Sequence, residues 1–276
     1  MPAIAQQPPP ARAQDALGAY EALAPYYDEF TAGYAHKAWL QALERELLGL
    51  GLSGRRVLDV ACGTGKSSLP LVELGYEVSA CDVSPTMVEV ARERLGLPDE
   101  RVFVADMRRL PALPHFDAVT CLDDAVNYLL TEGDVRATFA GIGRALRPGG
   151  LLAFDLNSLR TYGSVFVTRS EVDADAATFV WEGEPRPAIV PGGTYRATVR
   201  VVPKGNGNGT VTSVHTQRHY ARETVEWLLR AAGLRPVAVF GQAPGGRLLP
   251  DPDEQRHTKL LYVAERKEAR WWSTRS

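Results

Sequence analysis

A chain of 276 residues with 45% hydrophobic and 23% charged residues has enough apolar material for one large α/β domain, or for one domain with a sizeable insertion. Its formal net charge of −2 supplies no global basic field, which argues against nucleic acid as a partner. The cysteines are odd in number and lack metal-ligand spacing; Cys62, Cys81 and Cys121 argue against a disulfide frame and point to a reducing, cytoplasmic setting.

Residues 1–15 are rich in Pro, Ala and Gln and have no apolar run, so they read as a disordered leader rather than a signal peptide or membrane span. Residues 16–50 carry helical spacing, with Leu40, Leu43, Leu47 and Leu50 three and four positions apart, ending at Gly49-Leu50-Gly51. Strands and helices then alternate. A strand is expected at 57–60, a helix at 66–74, a strand at 76–82 and a helix at 85–95 with proline in its first turn. Strands at 101–105 and 116–121, a helix at 133–146 and a strand at 151–155 continue the pattern, which predicts a parallel sheet with helices on both faces.

From about 160 to 220 the helical period disappears. Tyr195, Ala197, Val199 and Val201 alternate with Arg196, Thr198 and Arg200, and a Gly/Asn loop at 203–209 joins this strand to 210–220. An antiparallel hairpin inserted into the α/β domain is the expectation. A helix at 221–232 and strands at 235–240 and 258–265 follow, and the terminal Trp271-Trp272 pair reads as a tail folding back.

The chemistry begins at Val57-Leu58-Asp59-Val60-Ala61-Cys62-Gly63-Thr64-Gly65-Lys66-Ser67. A strand running into a glycine turn and a helix lets a cofactor lie against bare backbone. The loop is not a P-loop, because the glycine needed five places before Gly65 is Val60; nor is it a dinucleotide fingerprint, because the third glycine is Ser68. Instead Asp59 stands at the strand end, where it would repel phosphate and suit an ammonium group. Asp82 ends the next strand, where a carboxylate can accept both hydroxyls of a ribose. Ammonium and ribose without phosphate describe S-adenosylmethionine.

With these motifs, continuing to about residue 157, the chain resembles the class I S-adenosylmethionine-dependent methyltransferases. The resemblance implies a doubly wound, mostly parallel seven-stranded sheet, Rossmann-like, whose last strand enters antiparallel, with the inserted β segment as a lid. The segments are then a helical lid at 16–50, a cofactor core at 51–159, an acceptor cap at 160–220, the remainder of the core at 221–266 and a tail at 267–276.

The resemblance also implies site roles. Ala61, Cys62, Gly63 and Gly65 form the cofactor loop, and Val83 and Met87 flank the adenine. Asp106 accepts from the adenine amine while the Met107 backbone meets a ring nitrogen, and Leu122 touches the cofactor. Tyr27, in a Tyr-Asp lid helix, reaches the sulfonium or methionine end; Lys66 stands either near the methionine carboxylate or in solvent.

Leu122-Asp123-Asp124-Ala125-Val126-Asn127-Tyr128-Leu129 is the acceptor-facing segment. It lacks the Asn/Asp-Pro-Pro-Tyr motif that grips planar nitrogens, and looks more like the small-molecule branch that includes glycine and amino-sugar N-methyltransferases. There the place of Tyr128 is a histidine, and Asp124 and Asn127 are rival acceptor-facing groups. His215, Gln217 and His219 share one strand face, as a polar wall over the acceptor or a solvated face; a metal site is the weakest reading, because no fourth ligand is evident.

An amine acceptor needs only its neutral form, whereas a hydroxyl needs a base. Tyr128, Asp124, His36, His215 and His219 are the candidates. The expected partner is a small-molecule amine or hydroxyl, with no membrane, and with the β insertion as the surface offered to a second copy. An RNA or protein methyltransferase, or a non-catalytic cofactor-binding protein, stands as the alternative.

Overall fold

The computed structural model describes residues 14–34, 36–205 and 209–267. The leader to residue 13 and the Trp271-Trp272 tail lie outside them.

Two short helices, α1 (Gln14–Leu23) and α2 (Tyr27–Phe30), precede α3 (His36–Gly49). The helical spacing thus resolves into three pieces rather than one, with Pro25 inside the single-turn link between the first two. The core then alternates β1 (Arg56–Val60), α4 (Ser68–Glu73), β2 (Glu77–Asp82), α5 (Pro85–Leu95), β3 (Val102–Val104), β4 (Phe116–Cys121), α6 (Glu132–Ala145) and β5 (Leu146–Asn157). Helix α5 runs between the expected ends because both are chemically marked. Ser84 Oγ accepts from the Met87 amide at its start, and Gly96 closes it in the left-handed conformation.

A short α7 (Leu159–Ser164), absent from the sequence reading, leads into β6 (Arg169–Asp173), β7 (Ala177–Gly183), β8 (Thr194–Pro203) and β9 (Val211–Arg218). The chain closes with α8 (Arg222–Ala231), β10 (Leu234–Ala243), β11 (Arg247–Leu249) and β12 (Lys259–Arg266).

The main sheet has eight strands in the order β11-β10-β12-β5-β4-β1-β2-β3. The strands from β3 to β5 pair in parallel, and β12 is antiparallel to both β5 and β10. This is the expected Rossmann-like plan with one correction: the three-residue β11 adds an eighth strand at the edge, too short to show an alternating pattern.

Phe139 and Ile142 of α6 with Leu228 and Leu229 of α8 fill one face, and Leu40, Leu43 and Leu47 of α3 fill the other. Strands β6 to β9 form a separate antiparallel sheet, larger than the single hairpin read from the sequence. On β8, Tyr195, Ala197, Val199 and Val201 are buried, as their alternation requires. Leu23 of α1 packs with Phe179, Val199 and Val201, so the N-terminal helices sit on the insertion. Between them and the strand ends lies the cleft where doubly wound sheets bind ligands.

Candidate active site

The β1 turn is built by chain reversal in a short span. Ala61, Gly63 and Gly65 have φ of 59°, 53° and 80°. At Gly65 a Cβ would stand 3.3 Å from Ala91 and Leu95, so this glycine lets α5 pack against the loop. At Gly63 a Cβ would meet only Tyr27 Cε1, at 3.8 Å; its bare face is the floor on which the lid tyrosine lies.

Asp59 is placed differently from the ammonium role read from the sequence. Its buried carboxylate accepts from Ser67 Oγ at 2.8 Å, Ser68 Oγ at 2.6 Å and Thr120 Oγ1 at 2.8 Å. It braces the loop from beneath. Burial raises its pKa, and the three hydroxyls oppose that rise. Asp82 links the two strand ends, accepting from the Gly63 amide and the Ser84 amide at 2.9 Å each. Asp106 holds Arg108 in a fork, with Oδ2 2.7 Å from a terminal guanidinium nitrogen.

Ala61, Val83, Asp106, Met107 and Tyr128, all singled out in the sequence, line one cleft of about 450 Å³ including its mouth, with Ala105 and Leu129 beside them. An apolar strip with an acid at its edge fits a purine, and the carboxylate of Asp82 against the loop fits a ribose. The residues present therefore suit S-adenosylmethionine. Met87 and Leu122 do not join this cleft: both are buried in the core, Met87 at 1% exposure. Cys62 is likewise buried, with its thiol raised by burial.

The N-terminal helices are fastened to the core by polar bonds that no motif announced. Glu21 of α1 accepts from Ser84 and from Thr86 Oγ1, the latter at 2.7 Å, at the start of α5. Asp28 of α2 accepts from Thr64 Oγ1 at 2.7 Å and pairs with Arg94. Lys66, read as near the methionine carboxylate or in solvent, instead donates to the carbonyls of Asp28 and Thr31 at 3.3 and 3.0 Å, capping the end of α2.

At the other end of the cleft the insertion arrives. Tyr128 Oη lies 2.9 Å from His215 Nδ1, and His215 Nε2 lies 3.0 Å from Ser213 Oγ. Because both hydroxyls can donate or accept, either neutral tautomer satisfies both contacts; the one with Nε2–H donating to Ser213 has Tyr128 donating to Nδ1 and leaves the phenol oxygen free to accept. Burial pushes His215 down to about 4 and lifts the Tyr128 phenol far above its ordinary value, so both are neutral. Tyr20 of α1 packs edge-on against Tyr128, His215 and Tyr27, at centroid distances of 5.4, 5.5 and 5.9 Å. It carries no motif, so nothing in the sequence marks it.

Gln217 donates to Asp124 Oδ2 at 2.5 Å and accepts from Asn157 at 2.9 Å. His219 leaves this group and pairs with Glu254 at 2.7 Å. Asn127 donates to the Arg218 carbonyl and accepts from the Asn157 amide, tying two segments together. His36 reaches Asp123 at 2.8 Å, and its Nδ1 is buried without a partner among the described residues.

Residues 57–150 match the methyltransferase-domain family. A putative methyltransferase, YqeM of Bacillus subtilis, is 30% identical over 222 residues, covering 78% of this chain and 86% of that protein. The cypemycin N-terminal methyltransferase of a Streptomyces species is 31% identical over 219 residues, 78% of this chain and 84% of its own. Among solved structures, an S-adenosylmethionine-dependent methyltransferase of Clostridium acetobutylicum superposes with a TM-score of 0.73 at 21% identity, over 90% of this chain and 99% of that one. CalS10 of Micromonospora echinaspora, an amino pentose methyltransferase solved with S-adenosylmethionine bound, gives 0.64 at 25% identity, over 88% and 98%.

Proposed function

The chain belongs to the class I S-adenosylmethionine-dependent methyltransferases, and from that premise we propose that it methylates a nitrogen of a small molecule, with Tyr128, Asp124 and His215 at the acceptor. Bound S-adenosylmethionine supplies a methyl group on a sulfonium that needs no further activation. Ala61, Val83, Asp106 and Met107 would hold its adenine end, Gly63 and Asp82 its ribose, and Tyr27 would close over the loop.

One observation carries the choice of nitrogen: Tyr128, which lines the cleft, is bonded to a histidine that burial holds at about 4. A hydroxyl acceptor must lose its proton to a base, and neither His215 nor the Tyr128 phenol can take it near neutral pH. A neutral amine brings its own lone pair. What remains for the pair is positioning. His215 fixes the Tyr128 hydroxyl, whose oxygen accepts from an acceptor N–H and aligns the lone pair. Asp124 adds a carboxylate beside these aromatic faces for the positive charge that moves from the sulfonium to the amine nitrogen as the methyl bond forms. The relatives named as an N-terminal methyltransferase and an amino pentose methyltransferase support the same class.

The test is transfer of labelled methyl to a panel of amines (glycine, an aminopentose, a peptide with a free N-terminus) beside catechol and carboxylate controls. Transfer to an amine that falls at least about tenfold in Tyr128→Phe supports the reading. Transfer confined to the hydroxyl or carboxyl controls sinks it.

A further inference from the structure

Lys259 opens β12, inside the sheet between β5 and β10, where a sheet interior favours an apolar residue. Its side chain is only 8% exposed. Its Nζ lies 2.7 Å from Asp124 Oδ1, 2.8 Å from Asp155 Oδ2 and 3.8 Å from Asp123 Oδ1. One ammonium thus faces three carboxylates. Among the described residues no other cation is within ion-pair distance of Asp124 or Asp155; His36 pairs with Asp123 alone.

The turn that carries two of these acids is strained. Asp123 and Asp124 have φ of 57° and 55°, consecutive left-handed positions without glycine. Such a residue persists only where its surroundings over-determine it. Lys259 supplies the charged part of that restraint, Gln217 a neutral part, and the Asp124 amide points at the Asp155 carboxylate at 3.3–3.4 Å.

We propose that Lys259 is a positioning residue for methyl transfer: it is the counter-charge that holds Asp124 and Asp155 together and presents Asp124 to the acceptor amine. This rests on the reading of Asp124 as acceptor-facing. The groups turned toward the cluster are Tyr20 from α1, Tyr27 from α2, Tyr34 and His36 around the start of α3, Tyr128 after β4 and Tyr162 from α7. The phenols of Tyr20, Tyr27, Tyr128 and Tyr162 are raised, chiefly by burial and in part by Asp124 or its neighbours; on Tyr34 the Lys259 charge pulls down against burial and the acids, which still leave it raised; and none supplies positive charge. Lys66 adds a more distant attraction on Asp123. Burial lifts Asp155 to about 6 even with Lys259 opposing it.

The test uses the full chain with S-adenosylhomocysteine bound and its aspartate carboxyl carbons labelled, titrated by carbon NMR in wild type, Lys259→Met and Lys259→Arg. Removal of the ammonium moves the Asp155 midpoint up by about one to three pH units, while the arginine variant stays near wild type. Methylammonium, added as the probe amine, shifts the Asp124 carboxyl saturably in wild type and binds about tenfold more weakly to Lys259→Met/Asp155→Asn, which keeps the net charge of the cluster, with S-adenosylhomocysteine affinity preserved.

An Asp155 midpoint that stays put in Lys259→Met, or methylammonium binding unweakened in Lys259→Met/Asp155→Asn, overturns the proposal. A wild-type Asp124 that ignores methylammonium while the Asp155 midpoint still moves marks failure of the acceptor reading, and removes the acceptor part of the proposal with it. If Lys259→Met does not fold, Lys259→Met/Asp155→Asn removes the stranded carboxylate. That double variant folds and still binds methylammonium weakly if Lys259 acts as described; wild-type binding in it refutes the role.

Discussion

The two ends of the cleft differ in how far apart in the chain their bonded partners lie. Around the glycine loop, Asp59 binds Ser67 and Ser68, Asp106 binds Arg108, and Asp82 binds Gly63, separations of 19 positions or fewer, with Thr120 reaching Asp59 across 61 positions from the neighbouring strand. At the acceptor end, Tyr128 binds His215 across 87 positions, Gln217 binds Asp124 across 93 and Lys259 binds Asp124 across 135. The cofactor end is mostly a local device of consecutive strand ends. The acceptor end is a convergence of lid, core, insertion and last strand, so it can change its acceptor chemistry without disturbing the glycine loop.

The largest effect that would sharpen this comparison is at Asp59. Asp59→Ala leaves three hydroxyls without their shared acceptor and should cost about 3 kcal/mol or more in urea unfolding, with the loop failing to hold S-adenosylhomocysteine. A variant of near wild-type stability would mean that the loop is held by packing instead.

The acceptor end has its own signature in acid. His215 lies at about 4 in the folded chain against 6.5 unfolded, so unfolding takes up a proton between those values. Stability from this source is present above pH 6.5 and is lost as pH falls toward 4, by about 3 kcal/mol at most. Thermal unfolding followed from pH 7 to 4 should show this slope in wild type and a flatter one in His215→Gln. Asp155, raised to about 6, works in the opposite sense, favouring the fold as pH falls from 6 toward its unfolded value, so the difference between variants is the quantity to read.

A smaller effect separates binding from folding. Asp82→Ala should weaken S-adenosylhomocysteine by about 1–3 kcal/mol in calorimetry, while unfolding changes less than in Asp59→Ala. The smallest lies at the join between the two ends. Arg94→Ala removes the partner of half-exposed Asp28 and should cost at most about 1 kcal/mol, seen as faster release of S-adenosylhomocysteine in stopped flow. Unchanged release would show that Glu21 and Lys66 hold the lid without it.

Legibility followed the same division. Helix α5 is readable to its ends because its cap serine, first-turn proline and closing glycine are adjacent to it in sequence. That Ala61, Val83, Asp106 and Met107 line one cleft is readable because each stands at or just beyond a strand end, and the sheet brings those ends to one edge. Met87 departs from expectation because a side chain in the first turn of a helix points inward or outward according to helix rotation, which packing sets. Asp59 departs for a related reason: its position is as expected, but Thr120 comes from the neighbouring strand and Ser67 and Ser68 fold back under the loop.

The sequence alone determined the order of strands and helices from β1 to β5, the glycine turn and the cofactor class, because periodicity, caps and glycines act over a few residues. Only the tertiary structure decided that Tyr20 meets Tyr128 and His215, that Lys66 fastens the lid, and that Lys259 stands among three aspartates. Those pairings join segments that share no local pattern. They exist because burying an ion or a hydroxyl is tolerable only where a partner is brought to it, and the fold, not the neighbouring residues, brings that partner.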